Sequence, residues 1–316
     1  MQDKLLQTPD GVRDTYDVEC KKKRKVMHEL HHILELYSYH DIETPTFEFF
    51  DIFNRDKGSA PSNEMYKFFD RDNNTLVLRP DITPSIARCV AKYYADEELP
   101  VRLYYSQPVF VRAKDLAGRP SEIAQSGVEL IGDGSFDADI EIVKMAVESL
   151  KRSNLNSFKL EIGNAAFFNV VLGKMDIPQS VRADVVNYIE SKNYAALGDL
   201  LDKIGDTAET RVIRRLPRLF GDASVIDEAK KLYSDSAFQQ ALLYLQTVYN
   251  RLCDEGLKDY IILDLGLVNR SNYYTGIIFH GYAEGSGISV LSGGRYDNLL
   301  GEFGMPAPAI GFAVEV

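Results

Sequence analysis

Ile123-Ala124-Gln125-Ser126-Gly127-Val128-Glu129-Leu130-Ile131 is an apolar, strand-forming run that carries two polar residues in phase. Side chains alternate faces along a strand, so Gln125 and Glu129 project from the same side. A glutamate on a buried face needs a partner, because burying an unpaired carboxylate is costly. The pattern fits an open, solvated sheet face equally well. Just upstream, Arg102-Leu103-Tyr104-Tyr105-Ser106 and Pro108-Val109-Phe110-Val111 read as one strand. A polar loop over residues 112–121 makes the first run its returning partner, and a helix over residues 137–152 follows.

Working outward, residues 17–37 have the apolar spacing of a long amphipathic helix. Asp41–Glu48 is strand-like, with Pro45 marking an edge or bend. Lys67–Asp70 and Leu76–Leu78 flank an Arg71–Asn74 turn as a hairpin. A helix over residues 84–95 is expected to take Thr83 as N-cap and Pro84 as its first residue. From about Asn164 to Gly256 the pattern is helical, as in Ser180–Ser191, Ala195–Ile204 and Ser236–Glu255. Strand signals then return at Tyr260–Leu265, Gly276–Tyr282 and Gly287–Leu291. Strands, then helices, then strands predict an α+β sheet domain formed by 1–163 and 256–316, interrupted by a helical insertion over 164–255.

Composition narrows the function classes. The chain has 316 residues, 45% hydrophobic and 26% charged, with no apolar stretch near the ~20 residues of a membrane span. The opening MQDKLLQTPDGVRD has no apolar signal-peptide core, so a cytoplasmic protein with no membrane partner is expected. Cys20, Cys89 and Cys253 lie far apart without metal-ligand spacing, which argues against a metal site. The net charge of −11 weighs against a polyanion partner such as tRNA. The basic run Lys21-Lys22-Lys23-Arg24-Lys25 reads as a solvated helix face rather than an import signal. The cluster Arg211, Arg214, Arg215 and Arg218 reads the same way in preference to an acidic-partner site. His28 and His32 share helical spacing but lack an HExxH context, so they read as surface groups.

No phosphate-binding loop, dinucleotide fingerprint or nucleophile elbow is present, and no nucleophile sits beside a base. No catalytic residue and no cofactor is therefore expected. What remains is polar chemistry on segments otherwise built for a core. Asp81 and Thr83 precede a helix that they could equally cap. Gln125 and Glu129 share their strand, Asn272-Tyr273-Tyr274-Thr275 adds hydroxyls, and Ser292-Gly293-Gly294-Arg295-Tyr296-Asp297 adds close backbone and one cation. Many acceptors and few cations suit a guest with an amine and a protonatable ring, not a nucleoside triphosphate.

The same segments carry a resemblance to histidyl-tRNA synthetase, a class II aminoacyl-tRNA synthetase. Thr8-Pro9-Asp10-Gly11-Val12-Arg13-Asp14 resembles its N-terminal signature, and Tyr39 with Ile42-Glu43-Thr44-Pro45 the end of its dimer-forming motif. Leu78-Arg79-Pro80-Asp81-Ile82-Thr83 is similar to LRPEGT, and Gln125-Ser126-Gly127-Val128-Glu129 to QxGxE. Leu267–Thr275 is similar to LVRGLDYYT, Gly293–Asp297 to GGRYD, and Pro308–Ala313 to the lead-in of the third class motif. The resemblance runs from residue 8 to 313 in family order. It implies a class II synthetase-like antiparallel sheet flanked by helices, and a histidine site. In that family the positions of Asp81, Thr83 and Gln125 meet the ligand's α-amino end, and those of Glu129 and Tyr274 its imidazole. Tyr273 joins them as a predicted histidine-binding residue.

Departures from the family pattern decide between ligase and sensor. The arginine that clamps the ATP α-phosphate in FRxE falls on Val111, and the glutamate on Ala113. Arg112 is one residue along, which on a strand faces the opposite way. Arg119 remains in the following loop, with Ser121 where a second arginine is expected. The histidine-specific arginine falls on Asn269, with Arg270 next to it. Arg112, Arg119, Arg270 and Arg295 are kept as supporting candidates. Each lost phosphate clamp costs roughly 10²–10³ in rate. The sequence runs to Val316, short of the third class motif's arginine, which weighs less than the internal substitutions. This pattern resembles the regulatory subunits of short-form ATP phosphoribosyltransferase, which share LRPD-x-T, GRP with Q-x-GVELIG, and YYTGI-x-F. The resemblance implies a non-catalytic partner of a small catalytic subunit, a homodimer core in a larger hetero-oligomer, and L-histidine as feedback ligand. The alternative is a divergent or truncated histidyl-tRNA synthetase that relies on Arg112 and Arg270. A stand-alone sensor with another partner is the third reading.

Overall fold

The computed structural model describes residues 3–53, 61–112, 120–153, 155, 157–268 and 273–316. Its first part runs α1 (Asp17–Leu36), β1 (His40–Asp41), β2 (Phe47–Phe49), β3 (Lys67–Phe69), β4 (Thr75–Leu78) and α2 (Thr83–Tyr93). Next come β5 (Val101–Phe110), β6 (Glu122–Ile131), α3 (Phe136–Arg152) and β7 (Phe158–Asn164). The helical stretch holds α4 (Ala166–Gly173), α5 (Gln179–Glu190), α6 (Tyr194–Ile204), α7 (Ala208–Arg215), β8 (Phe220–Gly221), α8 (Ser224–Lys230) and α9 (Ser236–Asp254). β9 (Ile261–Asp264), β10 (Ile277–Ala283), β11 (Leu291–Arg295) and β12 (Ala309–Glu315) complete the chain.

A nine-stranded sheet in the order β1-β5-β6-β12-β11-β10-β7-β9-β8 organises everything else, and β2-β4-β3 form a small separate sheet. The large sheet is antiparallel except where β1 meets β5 and β7 meets β9. Parallel neighbours need a long crossover, and the second pair obtains it from the helical stretch between them. Alternation assigns the two faces. Val128 and Leu130 of β6, Leu160 and Ile162 of β7, and Ile277 and Phe279 of β10 bury against α1, α3 and the inserted helices. Leu103, Tyr105 and Val109 of β5, with Ile123 and Ile131 of β6, bury on the other face beneath α2.

The inserted helices share the first of these cores rather than making their own. Phe167, Leu201, Ile213, Phe238 and Leu252 are buried in one cluster with the sheet residues. The expected solvated faces are also present. Lys21, Lys22, Arg24 and Lys25 are exposed on α1, and Arg211, Arg214 and Arg215 form exposed ion pairs with Asp206, Asp202 and Glu228. Among the described residues no helix is long and apolar enough to cross a membrane.

Two local expectations are corrected. Gly287–Leu291 is not a strand: Ser286 and Ser289 donate their hydroxyls to the carbonyls of Ile288 and Leu291 and hold a turn there. The strand instead begins at Leu291 and continues through Gly293-Gly294. A Cβ on Gly293 would lie 2.5 Å from the Gly311 carbonyl and Phe312 Cβ, so close strand packing requires glycine there. Thr83 is not the N-cap. It is the first residue of α2, its N–H donates to the Asp81 carboxylate at 3.1 Å, and its hydroxyl is used elsewhere.

Candidate functional site

One cavity, with a volume of about 180 Å3, lies on the α2 side of the sheet at its centre. Its lining brings together all six predicted residues: Asp81, Thr83, Gln125, Glu129, Tyr273 and Tyr274. Each arrives by a separate route. Gln125 and Glu129 project from β6, Asp81 and Thr83 come from the start of α2, and the two tyrosines lead into β10.

Glu129 is the hub. It is 1% exposed, and its Oε1 accepts from the Thr83 hydroxyl at 2.6 Å while Oε2 accepts from the Tyr296 hydroxyl. Asp81 Oδ2 accepts from Tyr273 at 3.0 Å. The Tyr273 ring leans on Tyr274 and Tyr296, with centroids 4.8 and 5.7 Å away. Gly311 stands directly across from Glu129 on β12, and a Cβ there would fall 2.1 Å from the carboxylate. Burial pushes the Glu129 carboxyl up to about 8, and the Asp81 charge adds to the shift. Burial also raises the phenols of Tyr105, Tyr274 and Tyr296 well above their ordinary range, so all three stay protonated donors.

Among the described residues, the lining contains the acids Asp81, Glu129 and Glu315 and no lysine, arginine or histidine. Such a wall receives an ammonium or a ring N–H through charge-assisted hydrogen bonds and opposes a phosphate. The volume lies below the ~300–1,000 Å3 of pockets for drug-sized ligands, in keeping with a guest of amino-acid size.

The supporting arginines do not gather here. Val111 lines the cavity, whereas Arg112 is exposed. Arg295 faces the opposite side of the sheet, 7% exposed, and pairs with Asp139 of α3 at 2.5 Å and with Asp297 at 3.1 Å. Its partner in β11, Gly294, faces the Tyr274 ring instead, so alternation along the strand separates the two. Arg119, Asn269 and Arg270 lie outside the described residues. Sequence reasoning missed Tyr105, Gly311 and Glu315, and met Tyr296 only within the glycine-rich run. Tyr105 had no local signal, because its role depends on its position opposite Gly127 across β5 and β6.

The family profile described as histidyl-tRNA synthetase matches residues 11–316. The chain is 40% identical to the ATP phosphoribosyltransferase regulatory subunit of Clostridium novyi (strain NT), covering 99% of this chain and 76% of that one. It belongs to the histidyl-tRNA synthetase family, in the branch of the ATP phosphoribosyltransferase regulatory subunits. A solved regulatory subunit/histidyl-tRNA synthetase from Bacillus halodurans C superposes with a TM-score of 0.88 at 34% identity, covering 98% of this chain and 81% of that one. A histidine–tRNA ligase subunit from Alicyclobacillus acidocaldarius gives 0.85 at 27% identity, covering 98% and 94%. Within a regulatory-subunit branch, the placement of Val111, Arg112 and Arg295 becomes the informative part of the site. The cavity keeps its acceptors, and the described arginines stand outside it.

Proposed function

We propose that this chain is a non-catalytic regulatory subunit of short-form ATP phosphoribosyltransferase and that L-histidine binds in the cavity around Glu129. On this reading it serves the first step of histidine biosynthesis, and the partner subunit carries the glycosyltransferase chemistry. The carrying observation is the lining itself: carboxylates, an amide and tyrosine hydroxyls converge, with no basic side chain among its described residues. The histidine ammonium suits Asp81 and Gln125, and a ring N–H suits Glu129 and Tyr274. Feedback requires histidine to favour one state of the complex, because equal affinity for two states shifts nothing. A homodimer core within a hetero-oligomer and a cytoplasmic setting complete the proposal, with no role for tRNA.

The competing reading is a divergent histidyl-tRNA synthetase that uses Arg112 and Arg270 as its clamps. The exposed position of Arg112, beside a cavity wall made by Val111, counts against it. Histidine-dependent pyrophosphate exchange separates the two. The regulatory reading predicts none from the purified chain, together with stimulation of a co-purifying phosphoribosyltransferase. Measurable exchange contradicts it.

A further inference from the structure

Two carboxyl groups, Asp81 and Glu129, line one cavity of about 180 Å3, and their surroundings differ. Asp81 accepts the Thr83 N–H at 3.1 Å and the Tyr273 hydroxyl at 3.0 Å, and such donors favour the ionised form. Glu129 is 1% exposed and is reached by two neutral hydroxyls, that of Thr83 on Oε1 and that of Tyr296 on Oε2.

The groups that share the cavity with Glu129 come from every element around it. They are Asp81 at the start of α2, Tyr105 of β5, Tyr273 and Tyr274 ahead of β10, Tyr296 after β11 and Glu315 of β12. Its direct neighbours across the sheet, Leu103 of β5 and Gly311 of β12, carry no ionisable group. Among the described residues no cation lines this space. Two carboxyls confined together without a cation resist joint ionisation, and the one held by fewer charge-stabilising donors keeps its proton. Burial, with the Asp81 charge added, accordingly pushes Glu129 up to about 8.

Each carboxyl oxygen has two hydrogen-bonding positions, and Thr83 and Tyr296 take one on each. A remaining position carries the proton, so at neutral pH Glu129 is a donor as well as an acceptor. A neutral acid chooses a different partner from a carboxylate. The carboxylate attracts an imidazolium, whereas the acid pairs with a ring nitrogen that still has its lone pair. An imidazole ring with its ordinary pKa of about 6.5 is mostly neutral at pH 7 and presents one such nitrogen.

We infer that Glu129 meets its guest as a neutral acid, donating a hydrogen bond to the unprotonated nitrogen of a neutral imidazole, while Asp81 takes the charged amine. The inference rests on the histidine reading of the cavity and restricts it to one ionisation state of the guest. An imidazolium is refused, because it would bring a second proton to a contact that has room for one. Histidine binding therefore weakens in acid.

Calorimetric titration of the full chain with L-histidine at pH 7 and pH 5.5, each in two buffers of different ionisation enthalpy, reads affinity and protons exchanged. Affinity should fall roughly five- to tenfold at pH 5.5, with release of about one proton per histidine there and far less at pH 7. The proton count uses the parent chain alone. Glu129→Gln, which offers a donor and an acceptor without charge, should recover most of the affinity lost in Glu129→Ala, to within about threefold of the parent. Proton uptake at pH 7 without weakening in acid means that an ionised Glu129 pairs with imidazolium. A loss of about tenfold or more in Glu129→Gln means that an ionised Glu129 accepts from the ring. Either result overturns the inference and leaves histidine in the cavity. Absence of saturable histidine binding by the parent chain overturns the histidine reading and this inference together, so the two failures leave different records.

Discussion

Burial keeps the Glu129 carboxyl protonated to about pH 8, whereas an ordinary glutamate ionises near 4.5. The folded state therefore holds a proton that the unfolded chain has released, and this group's contribution to stability falls as pH rises between those two values. Glu129→Gln keeps acceptor and donor capacity without the charge. Its stability relative to the parent should rise steadily from pH 5 to pH 8 in denaturant unfolding, and parallel curves would sink the assignment. Gly311→Ala tests the same contact from across the sheet. Its Cβ meets the carboxylate at 2.1 Å, so a loss of ~1–3 kcal/mol is expected, with weakened histidine binding. The phase of Gln125 and Glu129 was readable from β6 alone, since both follow from a period of two. The use made of Thr83 was not. Its hydroxyl had an adequate local role as a cap, and only the long-range approach of α2 to β6 gives it to Glu129 instead.

At the scale of elements, the ion pair between Arg295 of β11 and Asp139 of α3 ties helix to sheet behind the cavity. Asp139 is fully buried and also accepts from the Tyr244 hydroxyl of α9 at 2.5 Å, so one carboxylate joins three elements. Asp139→Asn leaves the Arg295 charge without its main partner. Removing one member of a buried pair costs about 3–5 kcal/mol, and the midpoint of chemical denaturation should fall accordingly. A change under ~1 kcal/mol would show that the pair is better hydrated than its burial indicates. Arg295 looked like a ligand cation in sequence because glycines and tyrosines surround it. Strand alternation decides the matter, and its phase depended on β11 starting at Leu291 rather than ending there. The hairpin of β3 and β4, the long pair β5 and β6, and helices α3, α5, α6 and α9 were legible within a residue or two, because each carries its own periodicity and turn residues.

Across the whole molecule, the strand–helix–strand texture revealed an α+β sheet with an inserted helical stretch, but it could not show how the parts join. The inserted helices bury Phe167, Phe238 and Leu252 in the sheet's own core, and β8 even pairs with β9 at the sheet edge. Such contacts link residues far apart in sequence, and no local pattern records them. The one sheet thus carries Glu129 together with Tyr105, Tyr273, Tyr274 and Tyr296 around the central cavity. The most direct test of the central claim is a calorimetric titration of the full chain with L-histidine, repeated on Glu129→Ala. The account predicts saturable binding by the parent chain and its loss, by about tenfold or more, in the variant. Unchanged histidine affinity in Glu129→Ala would contradict it and move the histidine site elsewhere.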